Sequence, residues 1–426
     1  QSAIIASSKK EEAMLLEFSC ANHRSIKDKA VFSLLAGKDM THMENIIESD
    51  GFRVLRSAVV YGANGSGKSS FISAISFARL LVVNSITHQP GQGIRQDKHK
   101  LSRLDDPTSY SLQFITGGLR FAYGFTLQNA LVSEEYLYYF PNGRQAMIFE
   151  RDSESFNIGS KFKKTSFATC KEVLKPNRLL LSCAANFCSV PEVDSAYRFF
   201  SEDLVIYDNQ NNWMNYTLHE ISENEQMKKA LISFLVNLGI DVKNVRVSIE
   251  KSKLDFSQLP PFLSDEFKSM LVQNGETIDA RMVYDQFETD LLNEESTGVK
   301  KLFSMICPLI DIMRNGKVLL CDELEANLHE SLVYELVKAF SSAEINESAQ
   351  LIFTTHETGL LSLDLFRRDQ IWFTEMIGAN RSTDLYSLAE INNVRKEENY
   401  GKGYISGKYG AIPMLNLDFA SIVAQM

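Results

Sequence analysis

The sequence lacks several features that would identify whole classes of protein. Among its 426 residues, no apolar run approaches the roughly 18 residues that a membrane-spanning helix needs, so an integral membrane protein is not expected. Lys and Arg number 44 against 54 Asp and Glu, which gives a formal charge of −10. Positive charge is therefore too scarce for a surface that binds nucleic acid everywhere, and any such contact must be local.

Cysteine is scarce as well. The six residues form neither the dense framework of a small secreted domain nor paired C-x-x-C knuckles, so they predict reduced, mostly buried thiols in a cytoplasmic protein. They are Cys20, Cys170, Cys183, Cys188, Cys307 and Cys321. The closest pair in sequence, Cys183 and Cys188, has no histidine or second cysteine pair nearby, which argues against a metal site.

The first residues contain no apolar stretch of about 7–15 residues, so no signal peptide is predicted. With Met14 as the natural start, residues 1–13 would be a tag or a disordered extension. The length corresponds to two or three domain-sized units at roughly 150 residues each. Fold prediction therefore begins at residue 14.

Three patterns follow one another along the rest of the chain. Residues 14–193 contain short strand-type runs, and the turn residues between Ser109 and Phe156 have the spacing of an antiparallel meander. Residues 194–293 have helical apolar spacing and predict a mainly helical insertion. From 294 to 426, helix-type and strand-type segments alternate, which predicts parallel strands joined by crossover helices.

A glycine-rich loop is the strongest motif. Residues 62–69 match G-x-x-x-x-G-K-[ST] between a predicted strand, Val54–Tyr61, and a predicted helix, Ser69–Val83, which is the context that the P-loop motif requires. Backbone N–H groups would hold phosphates there, Lys68 would reach the β- and γ-phosphates, and the Ser69 hydroxyl would bind Mg²⁺. The predicted nucleotide-binding residues of this motif are Gly62, Asn64, Gly65, Ser66, Gly67, Lys68, Ser69 and Ser70.

Two later apolar segments also end in polar side chains. Residues 317–321 run into Asp322 and Glu323, which predicts a Mg²⁺ ligand followed by a general base for the attacking water. Without a P-loop, the same pair would be interpreted as a solvated acidic turn. Residues 349–355 run into His356, and a position at the end of the next strand favours a contact with the γ-phosphate over a structural role.

The loop Glu295-Ser296-Thr297-Gly298 precedes a predicted helix, with Ser296 as a natural N-cap. With the P-loop before it and the acidic pair and His356 after it, the chain resembles an ABC-type ATPase of the SMC-like branch. This resemblance implies an α/β P-loop NTPase of two lobes, in which residues 14–193 form a β-rich first lobe, 194–293 are a helical insertion, and 294–426 form the second lobe.

The same resemblance assigns roles to individual residues. Ser296 and Gly298 resemble the signature loop that contacts a γ-phosphate bound by the opposite subunit, although Thr297 and Val299 replace the usual glycine and glutamine. The turn Asn22–Ser25 resembles an N-x-R-S motif, in which Arg24 lies near the nucleotide. The usual loop glutamine is not placed, and the candidates are Gln113 and Gln128.

Longer segments narrow the resemblance to the RloA-type ATPases of bacterial abortive-infection and restriction-linked operons. The segments are EESTGVKKLF, CDELEANLHESL, AQLIFTTHETGLL, RRDQIWFTE and YISGKYGAIP. This resemblance implies an ATP-dependent homodimer or higher homo-oligomer that acts as the sensor or gate of an anti-phage system, with a phage trigger and a separately encoded effector, often a nuclease. Trp372 and Tyr409, in segments without a derived chemistry, are predicted to be core or interface aromatics.

Two basic stretches are candidates for a local nucleic-acid contact. One spans residues 95–103, and the other contains Lys161, Lys163 and Lys164. Charge runs are usually solvated surface. The second stretch is interleaved with phenylalanines and is the better candidate for binding a phosphate backbone.

Three other functions share part of these motifs. A RecF-like DNA-repair clamp would have the same ATP site but bind DNA in an ATP-dependent, salt-sensitive way. A P-loop kinase would need an acceptor pocket and would not use Ser296 or Gly298. A non-catalytic scaffold would bind ATP without using Glu323.

Overall fold

The structure, a computed structural model, describes residues 12–153, 155–207, 213–251, 276–326, 328–362, 364–395 and 398–412. The chain divides into two compact units. The first unit contains residues 1–209 and 312–426, and the second contains residues 210–311.

The described strands are numbered along the chain. They are β1 (Met14–Ala21), β2 (Ala30–Ser33), β3 (Ile46–Ser49), β4 (Phe52–Leu55), β5 (Ser57–Tyr61), β6 (Thr108–Thr116), β7 (Leu119–Gln128), β8 (Leu131–Tyr139), β9 (Ala146–Arg151), β10 (Phe156–Ile158), β11 (Leu204–Tyr207), β12 (Asn244–Lys251), β13 (Glu276–Val283), β14 (Glu288–Asp290), β15 (Val318–Cys321), β16 (Gln350–Thr354), β17 (Ile371–Ile377) and β18 (Ser382–Ser387).

The described α-helices are numbered in the same way. They are α1 (Lys68–Asn84), α2 (Ala168–Val173), α3 (Leu180–Phe187), α4 (Pro191–Arg198), α5 (Met214–Glu223), α6 (Glu225–Asn237), α7 (Thr297–Asn315), α8 (Glu330–Ser341) and α9 (Tyr400–Ile405).

A seven-stranded antiparallel sheet forms one layer of the first unit, in the order β10-β9-β8-β7-β6-β1-β2. Along β6 the buried Tyr110, Leu112 and Phe114 alternate with more exposed residues, which is the pattern of a sheet with one face on the core. The meander predicted between Ser109 and Phe156 is confirmed by β6 to β10.

A six-stranded sheet forms the other layer, in the order β11-β15-β16-β5-β17-β18. All neighbours in it are parallel except β17 and β18. Strands β5, β15 and β16 are buried along their whole length, as expected for parallel strands covered on both faces. The predicted alternation of strands and crossover helices is confirmed, since α8 connects the parallel neighbours β15 and β16.

Helix α1 lies in the core that the two layers share. The ring of Phe71 on α1 is centred 6.2 Å from Phe18 and 4.9 Å from Phe32, and Phe32 is 4.8 Å from Trp372 of β17. Trp372 is therefore a core aromatic, as predicted. Among the described residues, only the helical stretch 68–87 is long and apolar enough to cross a membrane, and the core explains much of its apolar character.

All six cysteines are free and buried in the structure, which confirms the prediction that they are mostly buried. Burial raises the pKa of Cys20 and of Cys183 to about 12. Cys183 and Cys188 are the closest pair in sequence, but their sulfur atoms are not the two that lie side by side in the structure. Instead, the Sγ atoms of Cys170 and Cys188 lie 3.2 Å apart, because α2 packs against the end of α3.

The second unit differs from the helical insertion predicted for residues 194–293. It contains α5 and α6, but also a three-stranded antiparallel sheet of β12, β13 and β14. In β12, Val245, Val247 and Ile249 alternate with polar residues, which is a strand pattern that the neighbouring helical segments obscured. Residues 252–275 of the predicted insertion lie outside the described residues.

The beginning of that predicted insertion belongs to the first unit. Helix α4 and strand β11 lie in residues 191–207, and β11 is hydrogen-bonded to β15 at the end of the parallel sheet. Four apolar residues in a row cannot be distinguished from a buried helix turn by periodicity. Pairing with β15, more than 100 residues later, decides the conformation.

Candidate functional site

Three predicted motifs lie at the carboxyl ends of three adjacent parallel strands. Strand β5 leads into the P-loop at Gly62, and its neighbour β16 leads into His356. On the other side of β16, strand β15 leads into Asp322 and Glu323. Ligands of α/β proteins bind at this edge of the sheet, so the fold brings together residues that are nearly 300 positions apart.

The P-loop needs glycine at Gly62 and Gly67 for steric reasons. A Cβ at Gly62 would overlap Ser66 Oγ and the side chain of Thr374, and a Cβ at Gly67 would overlap Thr383. Gly67 also has φ of 116°, a left-handed value that favours glycine. The two glycines therefore let the loop backbone lie close to β17 and β18, and a P-loop holds phosphate on such a tightly folded backbone.

Lys68 begins α1 and is nearly buried, with 6% of its surface exposed. Its Nζ donates hydrogen bonds to the backbone oxygens of Gly62 (2.7 Å) and Ala63 (3.3 Å). Burial lowers the pKa of Lys68 to about 8, against the opposing effect of the nearby carboxylates, of which Asp322 is the strongest. A buried ammonium of this kind gains stabilisation when an anion enters the loop.

One threonine fixes the acidic pair. Thr354, at the end of β16 and fully buried, donates from Oγ1 to Asp322 Oδ1 (2.6 Å) and accepts the backbone N–H of Glu323 (2.8 Å). Glu323 has φ of 51°, a value that is uncommon outside glycine and is frequent at functional sites. The neighbouring strand therefore fixes the carboxylate of Asp322 and the backbone of Glu323.

The backbone N–H of His356 donates to Glu325 Oε1 (2.7 Å), so Glu325 connects the acidic turn to the histidine loop. Glu325 Oε2 is buried and has no hydrogen-bond partner in the described part of the chain. The pKa of His356 is lowered, first by burial and then by the charge of Lys68. The imidazole is therefore neutral at pH 7.

The turn that contains Arg24 is attached to the P-loop. Ser25 Oγ donates to Ser70 Oγ (2.8 Å), and Thr383 of β18 donates its N–H to the backbone oxygen of Ser25 (2.7 Å). The Oγ1 of Thr383 also lies 2.8 Å from the backbone oxygen of Ser66. Arg24 itself is half exposed, with its Nε 3.5 Å from Asp97.

A cleft of about 740 Å³ opens beside this turn. Arg24 and Ser25 line one part of it, residues 96–101 a second, and Met376 with residues 379–381 a third. The volume falls in the range of small-molecule sites and accommodates a nucleoside. Through Ser25, which bonds to Ser70, the wall of this cleft is joined to the first turn of α1.

Sequence reasoning missed four residues of this site. They are Thr354, Thr374, Thr383 and Glu325, and of these Thr374 holds Ser66 Oγ at 2.7 Å through its Oγ1. The threonines are single polar residues in strands and have no local signal. Only the order of the strands, in which β17 and β18 follow β5, reveals their role.

The remaining predicted residues lie elsewhere. Ser296 is in the second unit, where its Oγ accepts the N–H of Val299 (3.2 Å) at the start of α7, which confirms the predicted N-cap. Gln113 and Gln128 are strand residues of β6 and β7. Of the basic stretch, Lys161 lies over the ring of Tyr139, 5.7 Å from its centre, on the antiparallel layer.

The donor set fits magnesium. The Ser69 hydroxyl and the Asp322 carboxylate are hard oxygen ligands, which Mg²⁺ prefers. The described residues contain no group of three or more His, Cys, Asp and Glu side chains suited to an all-protein metal site. Mg²⁺ does not need one, since it takes one or two protein ligands together with phosphate and water.

Comparisons with known proteins agree with the motifs. A family model described as "AAA ATPase domain" matches residues 125–361, more than half of the chain, and a model described as "AAA domain, putative AbiEii toxin, Type IV TA system" matches residues 57–168. No curated protein matches the sequence.

Several solved structures are similar at low identity. The SMC head bound to the winged-helix domain of ScpA is 15% identical over 88% of this chain and 97% of that one, with a TM-score of 0.43. The SMC head domain from Thermotoga maritima is 12% identical over 88% and 98%, with a TM-score of 0.38. RecF with ATP, a recombination mediator of the RecFOR pathway, is 13% identical over 88% and 100%, also with a TM-score of 0.38.

The motifs, the strand order and the family match lead to one assignment. The parallel sheet carries a P-loop between β5 and α1, and the family model extends from the antiparallel layer to the loop after β16. The fold is a mixed α/β P-loop ATPase fold, and the chain belongs to the AAA ATPase domain family.

Proposed function

We propose that this protein binds ATP with Mg²⁺ and hydrolyses it to ADP and phosphate. The observation that carries the proposal is the convergence of the P-loop, the acidic pair and His356 at the ends of β5, β15 and β16. Membership of an ATPase family supports it. The buried Lys68, with its lowered pKa, supports an anionic ligand.

Each residue has a role in this proposal. The P-loop amides and Lys68 bind the β- and γ-phosphates, and Ser69 with Asp322 would hold Mg²⁺, which would neutralise phosphate charge. Glu323 accepts a proton from the attacking water. His356, neutral at pH 7, contacts the γ-phosphate. We place the nucleoside in the cleft beside Arg24, since Ser25 in the wall of that cleft bonds to Ser70 next to the P-loop.

The direct test is release of inorganic phosphate from Mg-ATP by the purified protein. If a label on the γ-phosphate of ATP appeared on any acceptor other than water, the result would favour a P-loop kinase. Tight binding of ATP without phosphate release would favour a non-catalytic scaffold.

We further propose that two chains share each ATP site. The P-loop lies in the first unit and Ser296 with Gly298 in the second. The resemblance to SMC-like ATPases places this loop on the γ-phosphate of the opposite subunit. ATP would then join a homodimer, which is also the building block of a higher homo-oligomer, and hydrolysis would release it.

Mixing two inactive variants tests the shared site. Ser296→Arg and Lys68→Ala, each inactive alone, should recover about a quarter of wild-type hydrolysis at equal ratio, because half of the dimers are hybrids with one intact site of two. Phosphate release after subunit exchange is the measurement. An additional arm mixes Ser296→Arg with a double variant that carries both changes, which should recover nothing. Absent recovery in the first mixture, despite exchange shown by native mass measurement, would contradict the proposal.

The biological role that we propose is that of a cytoplasmic sensor or gate in anti-phage defence, as in RloA-type systems. Support comes from the AbiEii-type description of the model that matches residues 57–168. An ATP-dependent dimer has two states, and a phage component can bias them only by binding one more tightly. The toxic step would belong to an operon-encoded effector, often a nuclease in such operons.

Phage challenge tests this role. Cells that carry the whole operon should resist some phages by at least tenfold in plating efficiency, and Lys68→Ala should remove the resistance, because the dimer cannot form without ATP. Glu335→Gln, an exposed change on α8, is the control. A deletion strain with unchanged phage sensitivity but increased sensitivity to DNA damage would instead support the RecF-like clamp. In that case, salt-sensitive DNA binding should weaken when Lys161, Lys163 and Lys164 are replaced.

A further inference from the structure

The segment 398–412 packs against the loop that carries His356. Helix α9 begins at Tyr400, and the N–H of Gly401 donates to the backbone oxygen of Leu361 (3.2 Å). A Cβ at Gly401 would lie 3.4 Å from the backbone oxygen of Thr358, so the two segments approach closely. The loop that carries His356 is therefore hydrogen-bonded, at Leu361, to the start of α9. The sequence indicates no chemistry for the segment that contains this helix.

The near end of the same loop is held by Tyr61, the last residue of β5. Its hydroxyl donates to the backbone oxygen of Glu357 (3.0 Å), one residue after His356. Tyr61 is fully buried, and its ring is centred 5.6 Å from the ring of Tyr404. Any change at Tyr404 thus acts on the side chain that fixes the backbone beside His356.

Tyr404 is the common element of these contacts. It lies on α9, is 7% exposed, and stacks on Phe373 of β17 at 5.5 Å with an interplanar angle of 20°. Its hydroxyl donates to the backbone oxygen of Ala411 (3.1 Å), which ties the end of the described chain to the same cluster. Phe373 also contacts Tyr409 at 5.9 Å, so the predicted core role of Tyr409 is confirmed.

Strand β17 extends this cluster to the P-loop. Phe373 faces Tyr404, and the next residue, Thr374, bonds to Ser66 of the P-loop through its Oγ1 (2.7 Å). Successive side chains of a strand point to opposite faces. One strand therefore has the aromatic cluster on one side and the phosphate cradle on the other.

We propose that Tyr404 is a positioning residue for hydrolysis, which holds the loop of residues 355–361 so that His356 stays aligned with the γ-phosphate. This inference rests on the proposed ATPase function. Among the described residues, the ring contacts and the hydroxyl bond of Tyr404 are with Tyr61, Phe373 and Ala411 and not with residues 62–70, so we expect ATP binding to change little when Tyr404 is replaced. Hydrolysis should change more, because a shift of about 1 Å at a reacting group costs up to about 100-fold in rate.

Tyr404→Leu keeps an apolar side chain and removes the ring. We expect kcat to fall at least roughly tenfold while the Kd for ATP changes less than about twofold. Tyr404→Phe, which keeps the stacked ring, should retain most of the wild-type kcat. Ile405→Ala, at the exposed neighbouring position of α9, is the matched control and should leave kcat unchanged.

The double variant His356→Ala with Tyr404→Leu separates positioning from general damage. If Tyr404 acts through His356, the second change should add little to the first. The inference would be overturned if Tyr404→Leu lowered kcat by the same factor in the wild-type protein and in His356→Ala. It would also be overturned if Tyr404→Leu changed only the Kd for ATP.

Hydrogen exchange gives a readout without hydrolysis. The amide of Gly401, which bonds to Leu361, should exchange at least tenfold faster in Tyr404→Leu than in Ile405→Ala. Unchanged protection would overturn the inference even if the protein is an ATPase. If the wild-type protein releases no phosphate, the proposed function fails, and this exchange experiment alone decides whether Tyr404 holds the loop.

Discussion

Replacing Glu323 with Gln should lower the rate of ATP hydrolysis by about 100-fold or more, the scale for removing a positioned general base. Gln has the same shape but does not accept a proton from water. The substitution keeps the hydrogen bond from the backbone N–H of residue 323 to Thr354 Oγ1. It also keeps the left-handed backbone conformation of residue 323, so the loop is not rearranged. ATP binding should stay within about twofold of wild type.

Phosphate release and binding of a fluorescent ATP analogue measure the two effects separately. Glu335→Gln, the same chemical change at an exposed position of α8, should alter neither. Equal hydrolysis by wild type and Glu323→Gln would remove Glu323 as the base and make Glu325, whose Oε2 is buried nearby, the next candidate.

Replacing Lys68 with Ala should reduce ATP affinity by roughly 30- to 4,000-fold. Truncating one partner of a buried charge pair costs about 2–5 kcal/mol, and each 1.4 kcal/mol is about tenfold. The structure supports the upper part of this range, because Lys68 is 6% exposed and its Nζ lies inside the loop. Calorimetric titration is the measurement, and Lys338→Ala, at an exposed position of α8, is the control.

The pH dependence of binding provides a second readout for Lys68. Its pKa of about 8 in the free protein means that the ammonium is already charged below pH 8, so affinity is flat there. Above pH 8 the neutral amine must take up a proton before it binds phosphate. Affinity should then fall by up to tenfold per pH unit, and Lys68→Ala should not show this break. Identical pH profiles for the two proteins would contradict the role of Lys68.

The sequence alone was sufficient for motifs that are contiguous. The P-loop has eight adjacent residues with fixed chemistry, and Asp322 with Glu323 follows an apolar run at once. The strands that precede these two motifs were also predicted, because buried parallel strands are almost entirely apolar. The meander of β6 to β10 was predicted from its turn residues, which are chosen by local backbone geometry.

What the sequence could not predict depends on contacts between distant segments. Thr354 and Thr383 look like ordinary strand residues until β16 is placed beside β15, and β18 beside β17. The assignment of β11 to the parallel sheet required its pairing with β15. The strands of the second unit were hidden by helical segments on both sides, since a window of 11–18 residues averages over a short strand.

The position of β5 has a consequence for how the molecule is made. This strand, at residues 57–61, is hydrogen-bonded between β16 and β17, which come from residues 350–377. During synthesis β5 emerges from the ribosome first, and neither of its neighbours exists until nearly 300 further residues have been translated. Pairings of such large sequence separation are slow to form. A nascent chain therefore cannot complete the sheet that carries the P-loop before β16 and β17 have been translated.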